Sequence, residues 1–320
     1  MNIWKLRISM VGTLAIIFGF STLVFAIAMS LAGVFDLLTL GIFVVGFNIL
    51  QWLISPYIIG AIYKTKELKI KDNEKLYETL EILSEKSQIK KPKLMLSQIK
   101  LPNAFAYGSP LSGNHVAITS GLLDSLKEEE IEAVIGHELG HIKHRDVQVM
   151  MAASFLPALF YYIGFSLMFS SMYRGRRDDG GNNAIIGIAF MVFSWILNLF
   201  ILYLSRLREY YADNHSVSVV DDGANKLSSG LAKIVQIGSR IRADKKANNN
   251  NSSFRALFIF DPDRAKTDSI ELISYNKARD EQRLVQEILS RKPTFAEKLA
   301  EVFSTHPNII KRLKALQRVQ

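Results

Sequence analysis

The pentapeptide His137-Glu138-Leu139-Gly140-His141 is the stretch of sequence that most strongly predicts the fold of this chain. On an α-helix each residue advances by about 100°, so two histidines four positions apart lie on one face, one turn apart. In that geometry both imidazoles can reach one tetrahedral Zn²⁺ at about 2.0–2.1 Å. Glu138 follows the first histidine and can accept a proton from water at that metal without binding it. The spacing therefore predicts a helix that carries half of a zinc site.

The residues before the pentapeptide favour this helix. Glutamates 128–130 bring negative charge to its predicted first turn, and Ser125 with Glu128 fits a capping box. Apolar residues recur there at helical spacing: Ile131, Val134, Ile135 and Leu139. On such a helix the pattern H-E-x-x-H is typical of zinc metallopeptidases, in which the glutamate is the general base. The alternative is a solvated helix with two incidental histidines, which would not need the nearly uncharged stretch before them.

A site of this kind needs a third protein ligand and an open position. His144 shares the helix face but lies about 10 Å from His137 along the axis, so we interpret it as a structural or surface histidine. Glu209 is the best candidate for the third ligand. Asp213, one turn after it, can accept the N–H of a ligating histidine. The alternative is that both acids are helix-surface charges paired with neighbouring arginines.

Four long apolar stretches predict membrane helices. Each exceeds the roughly 20 residues that span a bilayer core. The stretches are residues 8–34, 37–63, 147–173 and 184–204. The first is too long for a signal-peptide core and is followed at once by the second, so it is predicted to be an anchor. The last two can alternatively be a pair of buried core helices.

Basic residues flank the first pair of stretches and predict its orientation. They are Lys5 and Arg7 before it and Lys64, Lys66, Lys69 and Lys71 after it. The positive-inside rule then places the N-terminus and the region from Lys64 onward in the cytoplasm. Three arginines in residues 174–177 argue mildly against full spanning by the last two stretches. A hairpin of two membrane helices returns the chain to the side it left, which brings Glu209 to the same membrane face as His137 and His141.

The chain resembles the HtpX-type membrane zinc metalloproteases, which are more distantly akin to the CAAX prenyl endoproteases. Besides the pentapeptide, the resemblance rests on the two leading spans, Pro102 to Ala106, the hairpin, Glu209 to Asp213, and Ser304-Thr305-His306-Pro307. It implies a mainly α membrane protein with about four transmembrane helices and a gluzincin-like α+β catalytic domain. The implied site has one zinc ion per subunit on His137, His141 and Glu209, with Glu138 as the base.

The resemblance also implies a domain organisation. Residues 1–63 would form two N-terminal transmembrane helices, and residues 64–146 the first part of the catalytic domain. Residues 147–204 would form a membrane hairpin, and residues 205–320 the second catalytic part, which carries the third zinc ligand.

The resemblance further places His306 and Arg312 at the active site. His306 would donate to the oxyanion that forms during hydrolysis. Arg312 would hold that histidine or a nearby carbonyl. Without the resemblance, His306 is better interpreted as an ordinary residue at a helix start, because Pro307 is favoured in a first helical turn.

A predicted β-hairpin offers a route for substrate binding. Residues 104–107 and 116–119 are predicted to be two strands, and a glycine-containing loop separates them. An extended peptide can bind along a sheet edge through main-chain hydrogen bonds. The candidate edge consists of Asn103, Ala104, Phe105 and Ala106. Alternatively these are structural strands whose aromatic side chains pack inward.

Composition limits the possible functions. The chain has no cysteine, which excludes disulfides, thiolate ligands and cysteine nucleophiles. Its net charge of +9 indicates attraction to an anionic membrane surface rather than to nucleic acid, because no nucleic-acid-binding motif accompanies it.

The resemblance implies a zinc metalloendopeptidase that hydrolyses membrane proteins or unfolded polypeptides during protein quality control and stress. It would be a multi-pass protein of the cell membrane with its catalytic site on the cytoplasmic side. A CAAX-type prenyl protease and a catalytically silent membrane scaffold are the alternatives.

Overall fold

The computed structural model describes residues 37–173, 180–247 and 281–319. The predicted first span, residues 8–34, lies outside them. The chain divides into two compact units. One contains residues 1–52 and 149–202, and the other contains residues 53–148 and 203–320.

Helices dominate the described residues, and one small sheet accompanies them. In chain order the elements are α1 (Leu37–Ile62), β1 (Lys66–Glu67), a 3₁₀ turn (Ile70–Asp72), α2 (Glu74–Lys86), β2 (Lys93–Ser97), β3 (Ala104–Ser109), β4 (Gly113–Thr119), α3 (Ser120–Ser125), α4 (Glu128–Lys143), α5 (Asp146–Tyr173), α6 (Gly180–Val219), α7 (Gly223–Ala247), α8 (Glu281–Ser290), α9 (Phe295–Val302) and α10 (Ile309–Gln317).

Three of these helices are long and apolar enough to cross a membrane. The segments concerned are Val45–Ile62 in α1, Asp146–Met168 in α5 and Asn183–Val219 in α6. They contain most of the second, third and fourth stretches predicted from hydropathy. The prediction of a mainly helical protein is therefore confirmed for this part of the chain, which contains three candidate membrane-spanning helices.

In the first unit α5 and α6 approach each other closely at two glycines. A Cβ on Gly164 would lie 2.5 Å from the carbonyl oxygen of Gly187, and one on Gly187 would lie 2.6 Å from that of Gly164. Small residues allow such close packing between apolar helices, where burial against lipid supplies little driving force. The Ser194 hydroxyl donates to the carbonyl of Pro157, at 2.7 Å, and so satisfies a polar group within an apolar helix pair.

The sheet of the second unit has the strand order β1-β2-β4-β3, which leaves β3 at an edge. β2 and β4 are parallel, and the other two pairs are antiparallel. The predicted hairpin is present as β3 and β4, with Ala104 opposite Ile118. Its strands continue further than predicted, because Gly113 adopts a φ of 75° and closes a tighter turn.

Helix α4 packs on this sheet and on α2 and α7, and ten of its residues, from Glu130 to Gly140, are buried. It begins at Glu128, one residue after Lys127, whose backbone N–H donates to the Glu130 carboxylate at 2.8 Å. The predicted capping box from Ser125 is therefore wrong, since Ser125 ends α3. Lys233 and the Ser229 hydroxyl hold the buried Glu130 carboxylate, at 2.7 and 2.5 Å, and aim it at the helix start.

Gly140 brings α4 and α6 into backbone contact beside the predicted zinc ligands. A Cβ on Gly140 would lie 2.9 Å from the Cα of Ala212 and 3.2 Å from its carbonyl oxygen. Ala212 is flanked on α6 by Glu209 and Asp213. The absence of a side chain at Gly140 is thus what allows these acids to approach the histidines.

Gly140→Ala should destabilise the protein by about 1–3 kcal/mol, because backbone atoms of α6 would have to move. In an unhindered helix the same change stabilises by up to about 1 kcal/mol, so the sign is informative. Thermal unfolding in detergent measures the effect. Gly60→Ala in α1 is the matched control, since its Cβ would meet only Thr65 Oγ1 at 3.4 Å. Equal behaviour of the two variants would contradict the close contact.

Candidate metal centre

His137, His141 and Glu209 meet at one point in the second unit. The Nε2 atoms of the two histidines lie 3.1 Å apart. Oε2 of Glu209 lies 3.8 Å from His137 Nε2, and its Oε1 lies 3.6 Å from His141 Nε2. Ligand atoms about 2.0–2.1 Å from a tetrahedral Zn²⁺ are about 3.4 Å from one another, so the observed distances fit a shared ion. Among the described residues this is the group of three that could hold a metal.

The orientation of the imidazoles supports the same conclusion. Nδ1 of His137 lies 2.9 Å from Asp213, and Nδ1 of His141 lies 2.6 Å from Asp146. A carboxylate beside each Nδ1 favours the proton on that nitrogen, which leaves the Nε2 lone pairs of both rings facing the common point. Two lone pairs 3.1 Å apart repel each other unless a cation or a proton lies between them. The residues present therefore fit a zinc ion.

Asp146 is a partner of His141 that the sequence analysis missed. It follows the pentapeptide by five residues, at the first position of α5. Arg145, just before it, adopts the left-handed conformation with a φ of 53°, which turns the chain back toward His141. Arg208 donates to the other oxygen of this carboxylate. An acidic residue directly after the motif helix was the available signal.

Arg312 links the acids behind the histidines. Its side chain is buried, forms two hydrogen bonds to Asp213, of 2.9 and 2.5 Å, and lies 3.0 Å from Glu209. The sequence predicted a histidine or a carbonyl as its partner and did not predict these two carboxylates. Such negative partners stabilise a buried guanidinium, and in return it fixes the positions of both acids.

His306 lies at the rim of the same site. Its Nε2 is 3.5 Å from Glu209, and Thr305 Oγ1 is 3.0 Å from its Nδ1. The interpretation of His306 as a helix-start residue is wrong, because α10 begins at Ile309 and its N-cap is Asn308. Pro307 precedes the N-cap, so the turn around it serves to present His306 to Glu209 instead of opening a helix.

Glu138 follows His137 on α4 and is buried, with 2% of its surface exposed. Burial raises the pKa of its carboxyl and outweighs the nearby histidines, which lower it. The carboxylate also accepts the backbone N–H of Ala106 in β3. Glu138 is thus a carboxylate whose proton affinity is increased and whose position is fixed by a hydrogen bond to the edge strand.

Negative charge at the site favours a cation. Burial alone would lower the pKa of His141, but its hydrogen bond to Asp146 and the charges of Glu209 and Glu138 raise it to about 9. The same carboxylates that hold a proton on His141 would stabilise a metal ion at its Nε2.

The edge strand β3 passes beside Glu138. Asn103 accepts the N–H of Thr119 at 3.0 Å, so by antiparallel alternation Asn103 and Phe105 direct their main-chain groups toward β4. Ala104 and Ala106 direct theirs to the open edge, as the bond from Ala106 to Glu138 illustrates. Of the four residues predicted to bind substrate, only these two alanines therefore offer main-chain groups at the edge. The buried Phe105 ring packs 4.7 Å from that of Tyr63.

His144 is not part of the group formed by His137, His141 and Glu209. Its ring centroid lies 5.8 Å from that of Tyr211 and 5.9 Å from that of His215. It caps the end of α4 and packs against α6, which agrees with its interpretation as a structural histidine.

The family model described as Peptidase family M48 matches residues 70–320. The chain belongs to this family. The matched range includes His137, His141 and Glu209. The M48 family consists of metalloproteases, which agrees with a possible metal site of two histidines and a glutamate. The protein is therefore a metallopeptidase that acts on protein substrates.

Relatives that match over most of their length are described as protease HtpX homologs. A protease HtpX homolog of Picrophilus torridus is 36% identical over 289 residues, which are 90% of this chain and 87% of the relative. One from Archaeoglobus fulgidus is 35% identical over 318 residues, 99% of this chain and 88% of the relative. Protease HtpX homolog 2 of Saccharolobus solfataricus is 35% identical over 98% of this chain and 97% of its own length. The predicted resemblance to HtpX-type metalloproteases is confirmed.

A solved structure supports the fold. The crystal structure of S. mikatae Ste24p matches with a TM-score of 0.57 over 98% of this chain and 66% of that chain. Its sequence identity of 16% restricts the comparison to architecture.

Asp146→Asn should weaken zinc binding by about 10–100-fold, because the carboxylate that orients His141 loses its charge. Competition with a chromophoric chelator measures the dissociation constant. Asp124→Asn is the matched control, since Asp124 is exposed and pairs with the exposed Lys100. Unchanged affinity in Asp146→Asn would show that His141 is oriented without it.

Proposed function

We propose that this chain is a zinc-dependent endopeptidase with one zinc ion per subunit, held by His137, His141 and Glu209. The proposal rests on three residues whose ligand atoms converge on one point. In both histidines a carboxylate lies beside Nδ1, so Nε2 is the nitrogen that faces this point. Asp213 and Asp146 would hold the histidines in the required tautomer. Arg312 would position Glu209 and Asp213 without touching the substrate.

Glu138 is the proposed general base. Zinc, when bound, polarises the scissile carbonyl and makes water more acidic. Glu138 accepts the proton of the attacking water and returns it to the leaving amine. Its buried position and raised pKa support this role, because a base works best when its pKa lies near the working pH.

His306 is the proposed donor to the oxyanion. Its Nε2 faces Glu209 across the site, and its ring is only partly exposed. A donor that stabilises developing negative charge typically contributes about 3–4 kcal/mol to catalysis.

The open edge of β3 is the proposed substrate-binding strand. An extended peptide would bond to the main chain of Ala104, Ala106 and, by the same alternation, Gly108. Because Glu138 binds the N–H of Ala106, the base sits beside this edge. Recognition through main-chain atoms demands little of the substrate sequence, which suits unfolded polypeptides and exposed segments of membrane proteins.

The proposed setting is the cell membrane. The catalytic domain would comprise residues 64–146 and 205–320 in a gluzincin-like arrangement. Residues 1–63 and 147–204 would supply four transmembrane helices. The lysines after residue 63 support a catalytic site on the cytoplasmic side.

Chelation tests the metal dependence directly. Purified protein in detergent should cleave an unfolded casein, lose that activity with a zinc chelator and regain it when zinc is added back. Activity that survives complete zinc removal would overturn the proposal. Cleavage restricted to prenylated peptides would favour a prenyl protease, and binding of casein without any cleavage would favour a silent scaffold.

A further inference from the structure

Helix α9 presents an apolar stripe to its surroundings. Phe295, Leu299 and Val302 follow one another at positions i, i+4 and i+7, so they lie on one helix face. Their exposed fractions are 81%, 39% and 40%. A helix on the surface of a soluble domain usually turns such a face inward.

The acidic residues of α9 point the other way. Glu297 accepts the N–H of Thr294 at 2.6 Å, and Glu301 pairs with Lys311 at 2.7 Å. Both glutamates are 7% exposed. Lys298 is exposed and lies at the margin of the apolar stripe. The helix therefore buries its negative charges, which cap it and hold it to α10, and exposes apolar side chains beside a lysine.

A contact with α6 fixes the C-terminal end of α9 within the second unit. Nη1 of Arg206 donates to the carbonyls of Glu301 and Ser304, at 2.7 and 2.8 Å. The same guanidinium lies 5.6 Å from the ring of Tyr203, which is 53% exposed. These two residues stand at the end of the apolar stretch 184–204 of α6. An aromatic residue and an arginine at such an end are typical of the membrane–water interface.

We propose that α9 is an interfacial helix whose face of Phe295, Leu299 and Val302 inserts into the lipid bilayer at the level of the headgroups. Interfacial helices combine an apolar face with cationic residues at its margin, and Lys298 supplies that charge toward anionic headgroups. The helix leads directly into residues 304–308, so lipid contact anchors the turn that carries His306.

Site-specific labelling tests the lipid contact, because the chain contains no cysteine. Phe295→Cys, labelled with an environment-sensitive fluorophore, is compared with labelled Lys75→Cys in vesicles of phosphatidylcholine and phosphatidylglycerol. Lys75 is the control because its side chain is 78% exposed on α2. Neither substitution removes a buried side chain. Each vesicle preparation is made with and without lipids that carry a nitroxide on the acyl chain.

The nitroxide lipids should quench the label at position 295 at least twofold, with a blue-shifted emission, and leave the label at position 75 nearly unchanged. Equal exposure of both labels to an aqueous quencher would overturn the proposal. A blue shift at position 295 that needs added unfolded casein would also overturn it, in favour of a polypeptide-binding surface. The readout does not depend on cleavage, so its failure leaves the proposed peptidase activity untouched.

Discussion

Glu138→Gln will abolish most peptide-bond cleavage while the protein keeps its zinc. Glutamine has nearly the same shape and can still accept the N–H of Ala106, but it cannot take a proton from water. Loss of a general base lowers the rate by about 10²–10⁴-fold. Zinc content by metal analysis and the rate of casein cleavage are measured on the same preparation.

The variant should fold as well as the parent protein. Burial raises the pKa of Glu138, which means that its charged form is disfavoured in the folded state, and a neutral amide removes that penalty. Glu129→Gln is the matched control, since Glu129 is exposed on the same helix. Retained cleavage by zinc-loaded Glu138→Gln would exclude Glu138 as the base, and loss of zinc would point to an additional role in metal binding.

Arg312→Met should lower the free energy of unfolding by about 3–5 kcal/mol, because it leaves two buried carboxylates without their cation. That is a large part of the roughly 5–15 kcal/mol by which folded domains are stable. Thermal and urea unfolding in detergent measure the loss. The zinc-loaded protein should lose less than the zinc-free protein, since the ion compensates part of the charge of Glu209.

Two further variants separate charge from geometry. Arg312→Lys keeps a cation but loses the paired hydrogen bonds to Asp213, so its stability should fall between the parent and Arg312→Met. Arg318→Met removes an exposed arginine after α10 and should change stability by less than about 0.5 kcal/mol. Equal stability of Arg312→Met and Arg318→Met would show that the buried carboxylates do not depend on the guanidinium.

The local parts of the site were accessible from the sequence. His137 and His141 share a helix face because the helical period places them there, whatever the rest of the chain does. The hairpin of β3 and β4 followed from alternation and a turn, which are also local properties. Glu209 required one longer step, namely that two apolar helices return the chain to its starting side.

The partners that orient the site were not accessible in the same way. Asp146 acts on His141 only because the left-handed Arg145 reverses the chain between two helices. Arg312 reaches Asp213 from 99 residues away, and the choice between this contact and one to His306 depends on how α10 packs.

The residues alone thus determined the chemistry, since a metal-binding pattern on one helix requires only the spacing of a single turn. Tertiary packing decided which charges hold that pattern in place and which side chains of α9 stay exposed. The physical reason is that ion pairs and burial depend on segments distant in sequence, whose meeting no local period specifies.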